Sequence, residues 1–442
     1  MNVLLIGGGG REHAIASAIK KSNGYIYSVM ENRNPGILRI SEDFLITNDF
    51  SKLEKWEPIK NGKIDFAIVG PEGPLELGIV NNLMSLGIPS ASPTKEAAQI
   101  ETSKKFLRDL MKKYSIPGNL ESHYFSNKDA LLEFFRDFND EFVVKPVGLT
   151  GGKGVKVQGD HFQKKEEGIE YALEVLKKGI GEGKGVLIEE KMVGEEYTLQ
   201  AFTDGISLIP LPLVQDFKRA FENDQGPNTG GMGSYSMDDQ LLPFIDSNTK
   251  EKSLDILNKI IGSLKKEGIV YRGTIYGQFM LTKSGPKVIE INSRFGDPEA
   301  INVLSVFDGD FLNVIEGMAL GKLSSKYVKF KNESTVVKYL VPPGYGISAQ
   351  SGLEFEVDES KINEEGGLLY FGSVEEKNGK FFTTHSRTLA IVGKHKNLYD
   401  AEKIAENCTK YVRGNLYHRS DIGKRETIEK KIRRMQEILK DP

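Results

Sequence analysis

Residues 2–6, Asn-Val-Leu-Leu-Ile, are apolar and strand-forming, and they run straight into Gly7-Gly8-Gly9-Gly10-Arg11-Glu12-His13 and an amphipathic helix ending near Lys20. A strand, a glycine turn and a helix in immediate succession aim backbone N–H groups and a positive helix end at an anion. Few folds accommodate that opening, and the next segments narrow the choice. Tyr25–Met30 is a second apolar run, and Ile64–Val69 a further buried strand closed by Gly70-Pro-Glu-Gly-Pro74 and a helix to about Leu86. Alternation of this kind predicts a doubly wound parallel domain over 1–100, with loops 7–11 and 70–74 at the strand ends where ligands bind. A full dinucleotide fingerprint needs glycine at position 12, which is Glu12; Glu31 sits where a ribose-binding acid would, so an NAD-dependent oxidoreductase is weakened as a reading and not eliminated. His13 reads as helix surface.

The 47 glycines fall in discrete loops, which points to backbone-lined phosphate sites and not to disorder. Thr94–Lys113 reads as one long helix carrying Lys104. Phe142–Pro146 is a short strand bearing Lys145, followed by the hairpin tip Gly148-Leu-Thr-Gly151-Gly152-Lys153-Gly154 and a return strand. This is not a Walker P-loop, because Gly154 stands where Ser or Thr is required. A glycine hairpin with a basic tip suits a lid over phosphates. Two strands joined by a charged bend follow, Gly185–Thr198. An adenine fits there between apolar side chains, with backbone groups of Glu190, Lys191 and Met192 reading its edge and Glu189 or Glu196 meeting ribose hydroxyls. An exposed acidic bend accounts for the same residues equally well. Asp224–Ser234 is too rich in glycine for a helix or a central strand and reads as an ordered ligand loop carrying Asn228 and Thr229, beside Asp216, Lys218 and Arg219.

Thr274–Leu281 and Lys287–Asn292 form a hairpin. Alternation puts Glu290 and Asn292 on one face, with Arg294 following. A carboxylate and an amide oxygen without His or Cys suit a hard cation such as Mg²⁺. Gln278 opposes Glu290 only if the turn near Ser284 holds an odd number of residues. Beyond Leu323 the strands Thr335–Val341, Leu369–Val374 and Arg387–Val392 and the helix Leu398–Val412 predict a small α+β domain, with Arg387 its main polar candidate. Lys424–Leu439 reads as a solvated charged tail. With 59 basic and 62 acidic residues the net charge is −3, so no global field recruits nucleic acid or an anionic membrane. No stretch approaches a membrane span. The single cysteine, Cys408, excludes an internal disulfide and fits a cytoplasmic location.

Taken together, Ile6–Ala14, Val69–Leu75, Gly148–Gly154, Gln225-Gly-Pro-Asn-Thr-Gly-Gly-Met-Gly233 and Glu290-Ile-Asn-Ser-Arg-Phe-Gly-Asp-Pro-Glu299 closely resemble the phosphoribosylamine–glycine ligase (glycinamide ribonucleotide synthetase) family of ATP-grasp enzymes, over roughly residues 1–423. The resemblance implies an N-terminal domain (1–100), an ATP-grasp domain (101–323) whose lid covers about 118–190, a C-terminal domain (324–423) and a tail (424–442). It implies ligation of glycine to 5-phosphoribosylamine, driven by ATP with Mg²⁺ or Mn²⁺. By the same resemblance Glu290 and Asn292 match metal ligands. Lys104, Lys145, Gly151, Gly152, Lys153 and Gly154 match contacts to the ATP phosphates, and the 189–196 bend matches the adenosine site. Arg294 is expected to hold the glycine carboxylate, Asp297 the amine, and Asn228, Thr229, Gly230 and Gly231 the acceptor pocket. The ribose phosphate is expected on Gly8, Gly9, Gly10 and Arg11, with Glu72, Asp216, Lys218 and Arg219 completing the substrate site. The chain departs from the family pattern at Val147, at Phe217, where the family often has His, and at His385-Ser386 before Arg387. Another carboxylate–amine ligase of the same superfamily is the alternative within enzymes.

Overall fold

The computed structural model describes residues 1–150 and 154–440. The N-terminal strands form a parallel sheet in the order Ser41–Ile46, Tyr25–Met30, Asn2–Ile6, Phe66–Val69, so the Gly7 and Gly70 loops emerge side by side from adjacent strands. The helix expected to reach Leu86 is two short ones, Glu72–Glu76 and Ile79–Ser85, divided at Gly78 in the left-handed region. The long helix expected over Thr94–Lys113 is likewise divided. Ser103 is extended and its hydroxyl caps the N–H of Phe106 (3.2 Å), so Lys95–Thr102 ends and Lys104–Lys113 begins there. A serine that competes for backbone N–H groups favours such a break, and it sets Lys104 at a helix start.

A four-stranded antiparallel sheet, Leu208–Pro210, Glu195–Thr203, Gly273–Thr282 and Gly285–Asn292, forms the floor of the central domain. The lid has its own antiparallel sheet in the order Ser122–Phe125, Val186–Glu190, Phe142–Pro146, Lys156–Val157. The 191–194 bend therefore crosses from lid to floor. The Asp224–Ser234 stretch is not wholly loop: Gln225–Asn228 pairs with Arg219–Phe221 in a two-stranded ribbon, and Gly233–Ser236 is an inner strand of a five-stranded sheet. Pro227 is tolerated because the ribbon is all edge. That five-stranded sheet runs Gln215–Asp216, Gly233–Ser236, Ser334–Leu340, Leu389–His395, Leu368–Phe371, so central and C-terminal residues share one sheet.

Residues from all three regions share one apolar cluster, including Val3, Ile15, Phe202, Ile291, Val337 and Ile391. The lid packs separately around Leu131, Phe142, Tyr171, Val175 and Ile188. His13 lies inside the molecule, not on its surface: Phe371 N–H donates to its Nδ1 (2.9 Å) and the rings stack. Burial, with Arg39 nearby, pushes its pKa down to about 3, so it is neutral. The tail is a helix, Arg425–Lys440, that buries Ile428 and Met435 against the body and is not merely solvated. No helix among the described residues is long and apolar enough to cross a membrane.

Candidate functional site

The floor hairpin sets the geometry. Its turn holds two residues, Lys283 and Ser284, yet Gln278 does face Glu290, because Ile289 is an extra residue between the Gln278–Glu290 and Phe279–Val288 pairs. A β-bulge thus does what an odd-numbered turn was expected to do. The bulge also leaves the Ile289 carbonyl to accept from Arg108 (2.8 Å) and Lys145 (3.4 Å). Glu290 and Asn292 lie on one face and touch, Asn292 Nδ2 donating to Glu290 Oε1 at 3.3 Å. Burial opposes ionisation of Glu290, but Lys218, Lys104 and Lys145 together hold its carboxyl below the usual range.

Three lysines therefore surround the acid from different elements. Lys104 donates its backbone N–H to Val147 O (3.2 Å) and its Nζ to Gly148 O (2.9 Å), tying the helix start to the glycine hairpin. Lys145 pairs with Glu189 at 2.6 Å, and Glu189 also takes Arg108 at 2.7 Å. Although burial works against it, Arg108 and Lys145 hold the Glu189 carboxyl down to about 2. Glu189 is 1% exposed and is consumed by these cations, which corrects the expectation that it meets a ribose. Glu196 is the half-exposed acid of that bend, bound by Lys218 (3.1 Å) and Gln278 (2.9 Å). Of the backbone N–H groups expected to read an adenine edge, Glu190 donates to Glu121 O and Lys191 to Glu141 O; that of Met192 has no partner among the described residues. The side chain of Lys191 pairs with Glu141 (3.0 Å). Gly154 accepts from the Tyr171 hydroxyl (2.8 Å), while Gly151, Gly152 and Lys153 lie outside the described residues.

A second cluster adjoins the first. Arg294 donates to Asn292 Oδ1 (3.3 Å) and is gripped by Glu72 (3.2 Å) and Glu101 (2.9 Å). The guanidinium expected to hold the glycine carboxylate is thus already ion-paired. Burial raises the Glu101 carboxyl, whereas Arg294 lowers that of Glu72 to about 2. Asp297 accepts from the Tyr339 hydroxyl (2.6 Å) and from Arg387 (2.9 Å), and Arg387 also donates to the carbonyls of Gly230 and Asp297, both at 2.6 Å. A Cβ on Gly10 would lie 2.1 Å from the Tyr339 hydroxyl, so the N-terminal glycine loop abuts the same junction. Asp297, Gly230, Gly231 and the Gly9–Gly10 turn are therefore brought together by residues of the C-terminal region, Tyr339 and Arg387.

Other expected residues have different positions. Gly9 N–H donates to Glu12 Oε2 (2.7 Å), and Arg11 pairs with Glu12 (2.6 Å), so the chain supplies its own anion at that turn. The Glu12 side chain lies where a Cβ on Gly7 or Gly70 would collide with it, which removes the room a dinucleotide pyrophosphate needs, and Glu31 is exposed. The Gly8 carbonyl is held by Asn32 (3.1 Å) and Asn34 (3.0 Å). Arg219 turns to Gly226 O (2.9 Å) and the lid residue Asp160 (3.6 Å), away from the pocket. Thr229 ties its hydroxyl to Lys218 O (2.7 Å) and receives Gly231 N–H (3.1 Å), so it shapes the loop; the adjacent Asn228 pairs in the ribbon with Arg219. Asp216 lies 3.8 Å from Lys218.

Glu299 closes the cluster and carried no role in the sequence reading, although it ends a quoted motif. It is 2% exposed, accepts from Tyr276 (2.8 Å) and Thr198 (3.3 Å), and burial followed by the nearby Asp216 raises its pKa to about 7. Arg108, Glu101 and Tyr339 were also missed. Each sits on an ordinary-looking helix or strand, and only the tertiary fold reveals its partner.

An ionised carboxylate and an amide, both hard donors ringed by three lysines, can bring a cation and a polyphosphate together; the lysines without the acid would serve the polyphosphate alone. The geometry agrees with what comparison with known proteins finds. Residues 1–101, 102–300 and 335–425 match the family models described as the N, ATP-grasp (A) and C domains of phosphoribosylglycinamide synthetase. The chain is 47% identical over 439 residues to a phosphoribosylamine–glycine ligase of Methanothermobacter thermautotrophicus, covering 99% of this chain and all of that one. It is 46% identical to that of Pyrococcus furiosus, covering 100% and 98%. The solved phosphoribosylamine–glycine ligase of Thermotoga maritima superposes with a TM-score of 0.81 at 29% identity, over 95% of this chain and all of the other. The chain belongs to the phosphoribosylglycinamide synthetase family, whose members are the phosphoribosylamine–glycine ligases.

Proposed function

We propose that the protein joins glycine to 5-phosphoribosylamine at the expense of ATP, giving glycinamide ribonucleotide, ADP and phosphate. The observation that carries this reading is adjacency: the acid–amide–lysine cluster at Glu290 extends through Asn292 to Arg294, and the Asp297–Arg387–Gly230 junction follows on the same segment of chain. A nucleotide's terminal phosphate and an amine acceptor bound in these two clusters would be neighbours.

A carboxylate is a poor electrophile. In the first step a glycine carboxylate oxygen attacks the γ-phosphorus and ADP departs, leaving glycyl phosphate. In the second the phosphoribosylamine nitrogen attacks the glycyl carbonyl, phosphate leaves, and the nitrogen sheds one proton. Such chemistry needs positioning and charge neutralisation more than covalent help from the protein. Lys104 and Lys145 neutralise phosphate oxygens, and Arg294, oriented by Glu72 and Glu101, faces the transferring group. Asp297, fixed by Tyr339 and Arg387, receives the amine, and the Gly9–Gly10 turn, whose Gly9 N–H is taken by Glu12, adjoins that junction. Glu290 and Asn292 would hold Mg²⁺ or Mn²⁺, whose contribution is to neutralise charge on the β- and γ-phosphates. The buried, unbridged Cys408 accords with a cytoplasmic setting.

The test is phosphate release, assayed with each substrate omitted in turn and with other amino acids in place of glycine. It should require glycine and phosphoribosylamine together, and Glu290→Ala should lower kcat by at least ~10²-fold, the scale for loss of one preorganised electrostatic group. Turnover that ignores glycine, or an alanine variant near wild type, overturns the reading. Equal use of another amino acid would instead make this a ligase of different specificity.

A further inference from the structure

The tail helix Arg425–Lys440 begins where the family match ends, at residue 425. It nonetheless reaches the back of the substrate site. Lys431 lies 3.4 Å from Glu195, 3.5 Å from Asp224 and 5.0 Å from the Phe217 ring centre, and Arg434 lies 3.0 Å from Glu195. Arg419 lies over the same ring, 5.1 Å from its centre; it is fully buried, also pairs with Asp224 (2.9 Å) and donates to Arg219 O (3.1 Å). Phe217 is 1% exposed.

Side chains alternate along an extended chain. Through Gln215-Asp-Phe-Lys218, one set faces each way. Gln215 and Phe217 turn to the tail side, where Gln215 meets Glu195 (3.4 Å). Asp216 and Lys218 turn to the site side, where Lys218 binds Glu196 (3.1 Å) and the amide of Gln278 reaches Asp216 (3.5 Å). Glu195 and Glu196 divide in the same way at the start of the neighbouring strand. The strand that presents Asp216 and Lys218 is therefore held on its reverse by two cations, Arg419 and Lys431.

We propose that Lys431 is a positioning residue for the ligase reaction: by packing with Arg419 on Phe217 and neutralising Glu195, it fixes Asp216 and Lys218 beside the substrates. It touches no substrate itself. The inference rests on the functional reading above, because it takes Asp216 and Lys218 as parts of the substrate site. Phe217 is then a hydrophobic anchor pointing away from the chemistry, which gives a physical reason for an aromatic hydrocarbon between two polar site residues. A cation desolvated over a ring and paired with a buried carboxylate is a stiff link.

The full chain carrying Lys431→Met, which keeps the stem and loses the charge, is compared with Lys431→Arg and with wild type. The KM for glycine and for phosphoribosylamine, kcat, the dissociation constant for ADP alone and the thermal midpoint are measured for each. We expect Lys431→Met to raise the KM of at least one of the two co-substrates by about tenfold, as loss of one desolvated cation–ring contact predicts, with ADP binding within about twofold of wild type. Lys431→Arg should recover most of that loss. Unchanged constants in Lys431→Met, a uniform loss tracking a lower thermal midpoint, or failure of Lys431→Arg to recover KM would each overturn the proposal. If wild type itself shows no glycine- and amine-dependent turnover, the functional reading has failed, a result distinct from the others. Should Lys431→Met not fold, Lys431→Gln takes its place with the same expected rise, and in either case Arg434→Met, which removes the second cation on Glu195 and leaves Lys431 on Phe217, is the control. It should leave both KM values within about twofold of wild type, and an equal rise there would overturn the assignment to Lys431.

Discussion

In the body of the molecule, residues as distant in sequence as Val3, Phe202, Val337 and Met435 share one apolar cluster, whereas the lid gathers Leu131, Phe142, Val175 and Ile188 into a cluster of its own. What joins lid to body in the site is polar and specific: Glu189 to Arg108, Lys145 to the Ile289 carbonyl, and Gly148 O to Lys104. Apolar burial is non-directional and scales with area, so it welds surfaces. A few charged hydrogen bonds hold a geometry while remaining able to exchange partners. The contrast teaches where rigidity is spent. Glu290, Asn292 and Asp297 ride on the welded body, and Lys145 rides on the part that is only latched.

The largest effect should come from breaking the latch. Glu189→Ala leaves Arg108 and Lys145 buried without their acid, which costs about 3–5 kcal/mol when one partner of a buried pair is removed. Denaturant unfolding should register that loss, and Lys145 should no longer be held for phosphate. Alanine at Leu131 in the lid and at Ile315 in the body should each cost about 2–5 kcal/mol. Hydrogen exchange separates them: Leu131→Ala should expose amides within 122–190 and spare the body, while Ile315→Ala should loosen the sheets of the body. Exchange rising everywhere in both variants would erase the distinction between lid and body.

The smallest effect is a matter of pH. Glu299 has its pKa raised from 4.5 to about 7 in the folded protein. Between those values the unfolded chain has lost the proton and the folded one keeps it, so stability falls as pH rises through that window and levels off above it. Glu299→Gln, which mimics the protonated form, should therefore gain stability over wild type at pH 8 relative to pH 5. A parallel pH profile for the two proteins would show that Asp216 and burial do not govern this acid.

Much of this was legible in the chain. Glu290 and Asn292 on one face follow from strand alternation, and the N-terminal parallel sheet follows from strand–glycine–helix succession. What could not be read depends on long-range pairing. Ser103 breaks a helix that periodicity alone continues, because capping competes with propagation. Glu189 and Arg294 look like free site groups until Arg108, Glu72 and Glu101 arrive from more than 80 residues away in sequence. Lys424–Leu439 is so charged that it reads as solvated, yet its Lys431 and Arg434 face the buried Glu195 and its Ile428 and Met435 face the core. Composition reports charge, and only the fold reports what that charge meets.

The bulge at Ile289 carries one more implication. With two residues in the turn, dropping Ile289 would restore an unbroken ladder and still leave Gln278 opposite Glu290. The same deletion would withdraw the carbonyl on which Arg108 and Lys145 converge. Surface turns ordinarily absorb gains and losses of length, but a one-residue change in this one would slide Gln278 off Glu290 and turn the strand's side chains to the other face.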